Sequence, residues 1–239
     1  MLQIKNLSVN IQNKEIINNV SLSFQKGKNY CLLGKNGSWK SSLAMTIMWH
    51  PDYEINNWDI HIDAESILEL DPHQRAKKWI FLAFQAIPEI KWVKLFEFLR
   101  SIYSAKTWTE RTFLKFKKHI VPLMQELHID PEFLRRDLNV WFSGGERRKI
   151  EILQLKLLDP TYIFLDEIDS WLDVDAFKAV TELLKTTNTK ENTFIIITHY
   201  FTILEHIPVD EVHVLESGQI KQSGWPEIVS QIQLKWFNS

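Results

Sequence analysis

Tyr30-Cys31-Leu32-Leu33-Gly34-Lys35-Asn36-Gly37-Ser38-Trp39-Lys40-Ser41-Ser42 is the stretch on which the rest of the chain is read. A short apolar run leads into a loop with two glycines, and a helical pattern opens at Lys40. Strand, loop and helix in that order are the setting of a phosphate-binding loop, G-x-x-x-x-G-K-[ST], with Trp39 standing where the second required glycine belongs. In that reading Lys40 reaches the β- and γ-phosphates of a nucleotide, and the Ser41 hydroxyl holds Mg²⁺. Backbone N–H groups of Gly34, Lys35, Asn36, Gly37, Ser38 and Trp39, with Ser42 in the first helical turn, cradle the anion. Taken alone, the stretch also reads as a polar turn between a strand and a helix.

Outward from this loop, residues 2–9 and roughly 15–25 alternate apolar and polar, the pattern of half-buried antiparallel strands. Ile80–Phe84 reads as a buried strand. Residues 93–140 read as helices broken near Pro122 and Pro131, and 146–158 as a further helix. Tyr162–Leu165 and Phe194–Thr198 are continuous apolar runs, typical of buried parallel strands. Val212–Leu215 and Gln219–Gln222 suggest a hairpin around Gly218. Strands alternating with helices predict an α/β fold, and 239 residues suit one large domain or a core with a subdomain.

Tyr162–Leu165 ends in Asp166-Glu167. Asp166 could orient Mg²⁺ and its water, and Glu167 could act as general base on an attacking water. By itself such a strand end is more often a solvated pair of acids; downstream of a phosphate loop the functional reading gains the upper hand. Phe142-Ser143-Gly144-Gly145-Glu146 precedes a helical run, so Ser143, Gly144, Gly145 and the helix N-terminus form a second anion site, the plainer alternative being a flexible turn.

Together these segments resemble the ABC ATPases, whose signature is a leucine or phenylalanine followed by Ser-Gly-Gly. The resemblance implies an ABC ATPase fold with a nucleotide-binding core, a mixed sheet, an antiparallel β subdomain and an α-helical subdomain. It places the core at about 1–90 and 141–239 and the helical subdomain at about 91–140. It implies ATP and Mg²⁺ as ligands, and head-to-tail dimers in which one phosphate loop faces the other copy's signature. Gln85 then matches the Q-loop glutamine, a sensor of Mg²⁺ and water. Asp173 matches the D-loop aspartate, and His199 the switch histidine at the γ-phosphate. One element departs: Asn13-Lys14-Glu15-Ile16 carries no aromatic residue to stack on adenine.

Within this class the chain is most similar to the ATPase of the Suf iron–sulfur assembly system (SufC-like). Pro51-Asp52-Tyr53-Glu54-Ile55, Ile80–Gln85 with Pro88-Glu89-Ile90, Asn139–Glu146, Thr198-His199-Tyr200 and Val212–Leu215 carry the likeness. Leu165–Ala176, with its second Asp-x-Asp-Ala, is the most specific segment. The resemblance implies scaffold partners of the SufB/SufD kind, docking about residues 85–105.

Composition limits the alternatives. A net charge of −2 gives no electrostatic footprint for nucleic acid. No apolar stretch approaches the roughly 18–20 residues of a spanning helix, and Met1-Leu2-Gln3-Ile4-Lys5 does not read as a signal peptide, so a cytoplasmic protein without direct membrane insertion is expected. Cys31 is the one cysteine, so it forms no internal disulfide and cannot by itself hold an iron–sulfur cluster.

Glycine is only 7 of 239 residues, about 3%, whereas tryptophan is 10. Trp39, Trp49, Trp58, Trp79, Trp92, Trp141 and Trp171 fall where the family usually has glycine; Trp225 and Trp236 join them less clearly, and Trp108 is left open. One hypothesis covers the set: UGA codons that the source reads as glycine are written here as tryptophan. Glycine at all ten would raise the total from 7 to 17, about 7%, the ordinary share. The alternative is genuine aromatic substitution in a degenerate paralogue. Two other functions therefore stay open, an ATPase subunit of a membrane ABC transporter and a catalytically impaired binding subunit if Trp39 is genuine.

Overall fold

The computed structural model describes residues 1–109, 112–170, 172–229 and 231–232, with Asn57 and Trp58 described by backbone alone. Trp171 and Trp236 lie outside the described residues. The chain forms two compact units. The first comprises Met1–Leu82, Thr161–Glu167 and Asn188–Ser239; the second comprises Ala83–Pro160 and Ile168–Thr187. Residues 91–140 fall within the range of the second.

The first unit is built on two sheets. β1 (Leu2–Ile11), β2 (Lys14–Phe24), β4 (Glu54–Ile62) and β5 (Glu65–Ser66) form an antiparallel sheet in the order β2-β1-β4-β5. β3 (Tyr30–Leu33), β6 (Ile80–Ala83), β9 (Tyr162–Asp166), β10 (Thr193–Thr198), β11 (Glu211–Glu216) and β12 (Gln219–Gly224) form the other, in the order β12-β11-β3-β10-β9-β6. β3 pairs in parallel with β10 and β11, and β10 in parallel with β9; the β11–β12 hairpin is antiparallel, turning at Gly218 with φ 75°.

Strand β3 shows why its run is apolar on both sides. Successive side chains of a strand point to opposite faces. Tyr30 and Leu32 enter the main core, with Leu2, Ile4, Phe24, Phe164, Ile195 and Ile197. Cys31 and Leu33 enter a second cluster with Val212, Val214 and Ile232. Burial pushes the Cys31 thiol up to about 12, which fits a core residue rather than a reactive one. Helix α1 (Lys40–Ile47) adds Leu43, Ala44 and Ile47 to the main core, and this packing fixes its first turn.

The second unit holds α3 (Leu95–Thr107), α4 (Phe113–Glu126), α5 (Gly144–Leu158) and α6 (Val174–Thr187). Two expectations are corrected here. Pro122 does not break a helix: α4 runs through it, its buried Phe116, Ile120 and Met124 repeating every four residues and holding the helix despite the lost N–H. Residues 93–140 are not wholly helical either. β7 (Ile90–Lys94) pairs with β8 (Asp137–Leu138), and every residue of β7 is exposed, so its side chains show no alternation that would mark a strand. Pro131 does mark a boundary, opening a 3₁₀ turn over Pro131–Arg135 that Asp130 caps by accepting the Glu132 N–H. Among the described residues no helix is long and apolar enough to cross a membrane.

Backbone conformation sets the tryptophans apart. Among the described residues, seventeen that are not glycine have positive φ, and six of these are Trp39, Trp49, Trp79, Trp92, Trp108 and Trp141.

Candidate functional site

In the first unit the ends of β3, β9 and β10 and the start of α1 bring together five of the expected residues. Lys40 is 4% exposed; its Nζ donates to Gly34 O at 2.7 Å and to Lys35 O at 3.2 Å, and lies 4.0 Å from Glu167 Oε1. Burial pulls the Lys40 pKa below its ordinary value, while the carboxylates of Glu167 and Asp166 push it back up. Ser41 Oγ donates to Asp166 Oδ1 at 2.9 Å. His199 Nδ1 and Glu167 Oε1 are 2.9 Å apart.

Local structure explains these positions. Asp166 is the last residue of β9, whose apolar residues anchor it in the sheet. Glu167 follows with φ 43°, a left-handed conformation costly for its side chain, and its N–H is held by Ile197 O at 2.9 Å. The turn carries the Glu167 carboxylate to His199, which follows β10. Both acids are buried.

The loop before α1 is compact. A Cβ on Gly34 would meet Ser38 Oγ at 2.4 Å and Leu215 O at 2.5 Å, so only glycine fits there without movement. Gly37 has open space but φ 78°. Ser38 and Ser42 are buried and Lys35 and Asn36 exposed. Trp39 is the N-cap of α1 with φ 75° and ψ 26°. Its indole packs against the main core, 5.9 Å from Lys14 Nζ.

The residues fit a nucleotide with a divalent ion. Lys40 offers a buried cation at a helix N-terminus, and the Ser41–Asp166 pair offers two oxygens side by side. Among the described residues, no three His, Cys, Asp or Glu side chains cluster as a metal cage. One or two protein oxygens completed by phosphates and water are the usual way Mg²⁺ is held.

Gln85, Ser143, Gly144, Gly145 and Asp173 belong to the second unit. Ser143 caps α5: its Oγ accepts the Glu146 N–H at 3.2 Å, and Glu146 Oε2 accepts the Ser143 N–H at 2.7 Å, a capping box. Asp173 Oδ1 accepts the Ala176 N–H at 2.7 Å at the start of α6. Gln85, Gly144, Phe142, Ser170 and Leu172 line a cavity of about 330 Å³ with Arg147 and Arg148.

The sequence reading missed what holds Gln85. Arg148 and Glu151, one turn apart on α5, form a buried ion pair at 2.6 Å. Arg148 donates to Phe84 O at 2.6 Å and Gln85 O at 3.1 Å, and Glu151 Oε1 accepts the Phe84 N–H at 3.2 Å. The pair therefore clamps the backbone that carries Gln85. Burial raises the Glu151 pKa and Arg148 draws it back down. The available signal was two charges spaced within the apolar phase of α5, among Ile150, Ile152, Leu153 and Leu155.

Comparison with known proteins gives the family and the fold. A family model described as ABC transporter matches residues 17–170. A probable ATP-dependent transporter, ycf16, of Cyanophora paradoxa is 37% identical over 245 aligned residues, covering 100% of this chain and 95% of that protein. Probable ATP-dependent transporter slr0075 of Synechocystis sp. is 38% identical, covering 100% of this chain and 94% of its own length. Vegetative protein 296 of Bacillus subtilis is 38% identical over 99% of this chain and 92% of its own length. Among solved structures, the ATP-binding cassette MJ0796, dimeric and bound to ADP and Pi, superposes with a TM-score of 0.79 at 19% identity over 94% of this chain and 98% of that one, a likeness of fold. Motifs, fold and full-length relatives converge: this chain belongs to the ABC transporter family and is its ATP-binding, ATP-hydrolysing domain.

Proposed function

We propose that this ATPase is the cytoplasmic motor of an iron–sulfur cluster assembly complex, driving a SufB/SufD-like scaffold through ATP-dependent, head-to-tail pairing of two copies. The catalytic part of this reading is carried by one observation, the 2.9 Å contact between His199 Nδ1 and Glu167 Oε1 beside buried Lys40. Ser41 and Asp166 would hold Mg²⁺, which would supply positive charge against the phosphates.

Glu167 accepts a proton from the attacking water as the new P–O bond forms at the γ-phosphorus, and the bond to the ADP oxygen breaks, giving ADP and phosphate. Lys40 stabilises the negative charge on the transferred group. His199 orients the Glu167 carboxylate and faces the same phosphate. Ser143, Gly144, Gly145 and Asp173 of a second copy close over the nucleotide; MJ0796, a bacterial ABC transporter cassette, is described as dimeric in two solved structures.

Support for the iron–sulfur role comes from the resemblance carried by the acidic segment Leu165–Ala176. Exposed β7, within the stretch 85–105, offers a docking edge. The printed names of those relatives, probable ATP-dependent transporter, favour a second reading, the ATPase subunit of a membrane transporter. Affinity purification from the source organism separates them. Recovery of soluble scaffold subunits carrying iron and sulfide is expected; recovery of a membrane permease instead overturns the iron–sulfur reading.

A further inference from the structure

We infer that the protein, as its source makes it, carries glycine at positions 39, 49, 79, 92, 108 and 141, each decoded from a UGA codon. This stands apart from the iron–sulfur reading and rests on backbone geometry.

Positive φ is the left-handed region, where a Cβ crowds the backbone and bulky residues are true outliers. Trp39, Trp49, Trp79, Trp92, Trp108 and Trp141 have φ of 75°, 61°, 76°, 67°, 55° and 62°. Tryptophan is 10 of 239 residues, yet it supplies six of the seventeen described non-glycine residues of this kind. Seven of the other eleven are Asn6, Asn13, Asn19, Asp63, His128, Asn139 and Asp159, the residue types that tolerate the region. The remaining four are Gln12, Ala64, Glu167 and Ser217, so tryptophan is both the most frequent residue type there and the bulkiest.

The hydrogen bonds around these residues show what each position asks for. After α1, the Trp49 N–H donates to Thr46 O at 2.9 Å and the His50 N–H to Met45 O at 3.0 Å. That is the Schellman motif, with Trp49 at the position usually filled by glycine. Trp79 holds the same place after α2 (Pro72–Lys77), donating to Ala76 O at 3.2 Å, and its own carbonyl accepts the Thr161 and Tyr162 N–H groups at 3.0 and 2.9 Å. Trp108 ends α3 in the left-handed conformation. Trp39 is the last loop residue before Lys40, where the backbone must approach phosphate.

At Trp49, Trp92, Trp108 and Trp141 the side chains do not account for the placement. Trp92, Trp108 and Trp141 are 91%, 83% and 90% exposed, so burial does not offset a strained backbone there. The Trp49 ring lies 4.7 Å from the Arg75 guanidinium, but Arg75 also donates to Leu70 O, Ile47 O and Leu68 O, contacts that glycine at 49 leaves intact. Geometry brings Trp108, left open by the sequence, into the set. Trp225 is not among the positive-φ residues, so its case rests on composition alone.

The test reads the gene and the protein. We expect UGA at all six codons and glycine in the corresponding peptides, by mass, of protein isolated from its source; UGG at any of the six, or a tryptophan peptide, overturns the inference. A second measurement compares the chain as written with a form carrying glycine at the six positions. The glycine form should melt higher by about 2–4 °C for each relieved position. An equal or lower midpoint contradicts the inference. Neither readout depends on which partner the ATPase serves.

Discussion

The two units carry their functional residues in opposite ways. In the first, the groups proposed for chemistry are buried charges and their half-buried partners, holding one another: Lys40 beside Glu167, Glu167 against His199, Asp166 against Ser41. In the second, Ser143, Gly144, Gln85 and Asp173 are exposed, and what is buried is the framework behind them, the Arg148–Glu151 clamp. Chemistry on a triphosphate needs desolvated, preorganised charge. A surface that closes over a ligand needs a defined backbone instead, and the caps and the clamp supply it.

The difference can be broken from either side. The largest effect is expected at Glu167→Gln, measured in the Trp39→Gly protein: removing the general base should lower kcat about 10²–10⁴-fold while Mg·ATP still binds. A hydrolysis rate within a fewfold of the parent would remove Glu167 from the chemistry. Next comes Arg148→Ala, which leaves Glu151 charged, buried and unpaired and should cost about 3–5 kcal/mol in denaturant titration. Replacing both by methionine should cost much less, because no orphaned charge remains. If single and double variants lose equal stability, the clamp is not an ion-pair device.

Gly34→Ala should cost about 1–3 kcal/mol, because its methyl meets Ser38 Oγ and the Leu215 carbonyl. Gly37→Ala, in open space, should lose only the penalty of its φ. The smallest change is expected at Ser143→Ala, about 1 kcal/mol of α5 stability from the lost cap. If the serine acts only as a cap, Ser143→Asp restores both stability and turnover; if it also meets nucleotide, stability returns and turnover does not. Cys31 provides a control on the first unit's core: alkylation of the folded protein should be negligible, since its buried thiol is pushed up to about 12, and should become fast only on unfolding.

The same contrast explains what could be read from the sequence. Strands β3, β9 and β10 are buried on both faces, so they appear as unbroken apolar runs, and the charged residues at their ends stand out. Lys40, Ser41, Asp166, Glu167 and His199 were therefore legible, and the structure brings all five together. Exposed β7 and the two-residue β8 have no apolar phase, so the end of β7 and all of β8 fall within the stretch 93–140 that reads as helix. Pro122 was read as a break because a local rule was applied where the buried face of α4 outweighs it. Arg148 and Glu151 were missed because neither belongs to the motif beside them, and their role depends on a backbone brought near by folding. The tryptophans stand out by composition and by falling where the family has glycine; the backbone angles add a physical reason at 39, 49, 79, 92 and 141 and bring in Trp108.

The account depends most on Lys40 gripping a triphosphate. Calorimetric titration of Mg·ATP into the Trp39→Gly protein, alongside the same protein with Lys40→Ala, tests this directly. Saturable binding that Lys40→Ala abolishes is the predicted result; binding that survives the loss of Lys40 unchanged, or no binding to either protein, contradicts it.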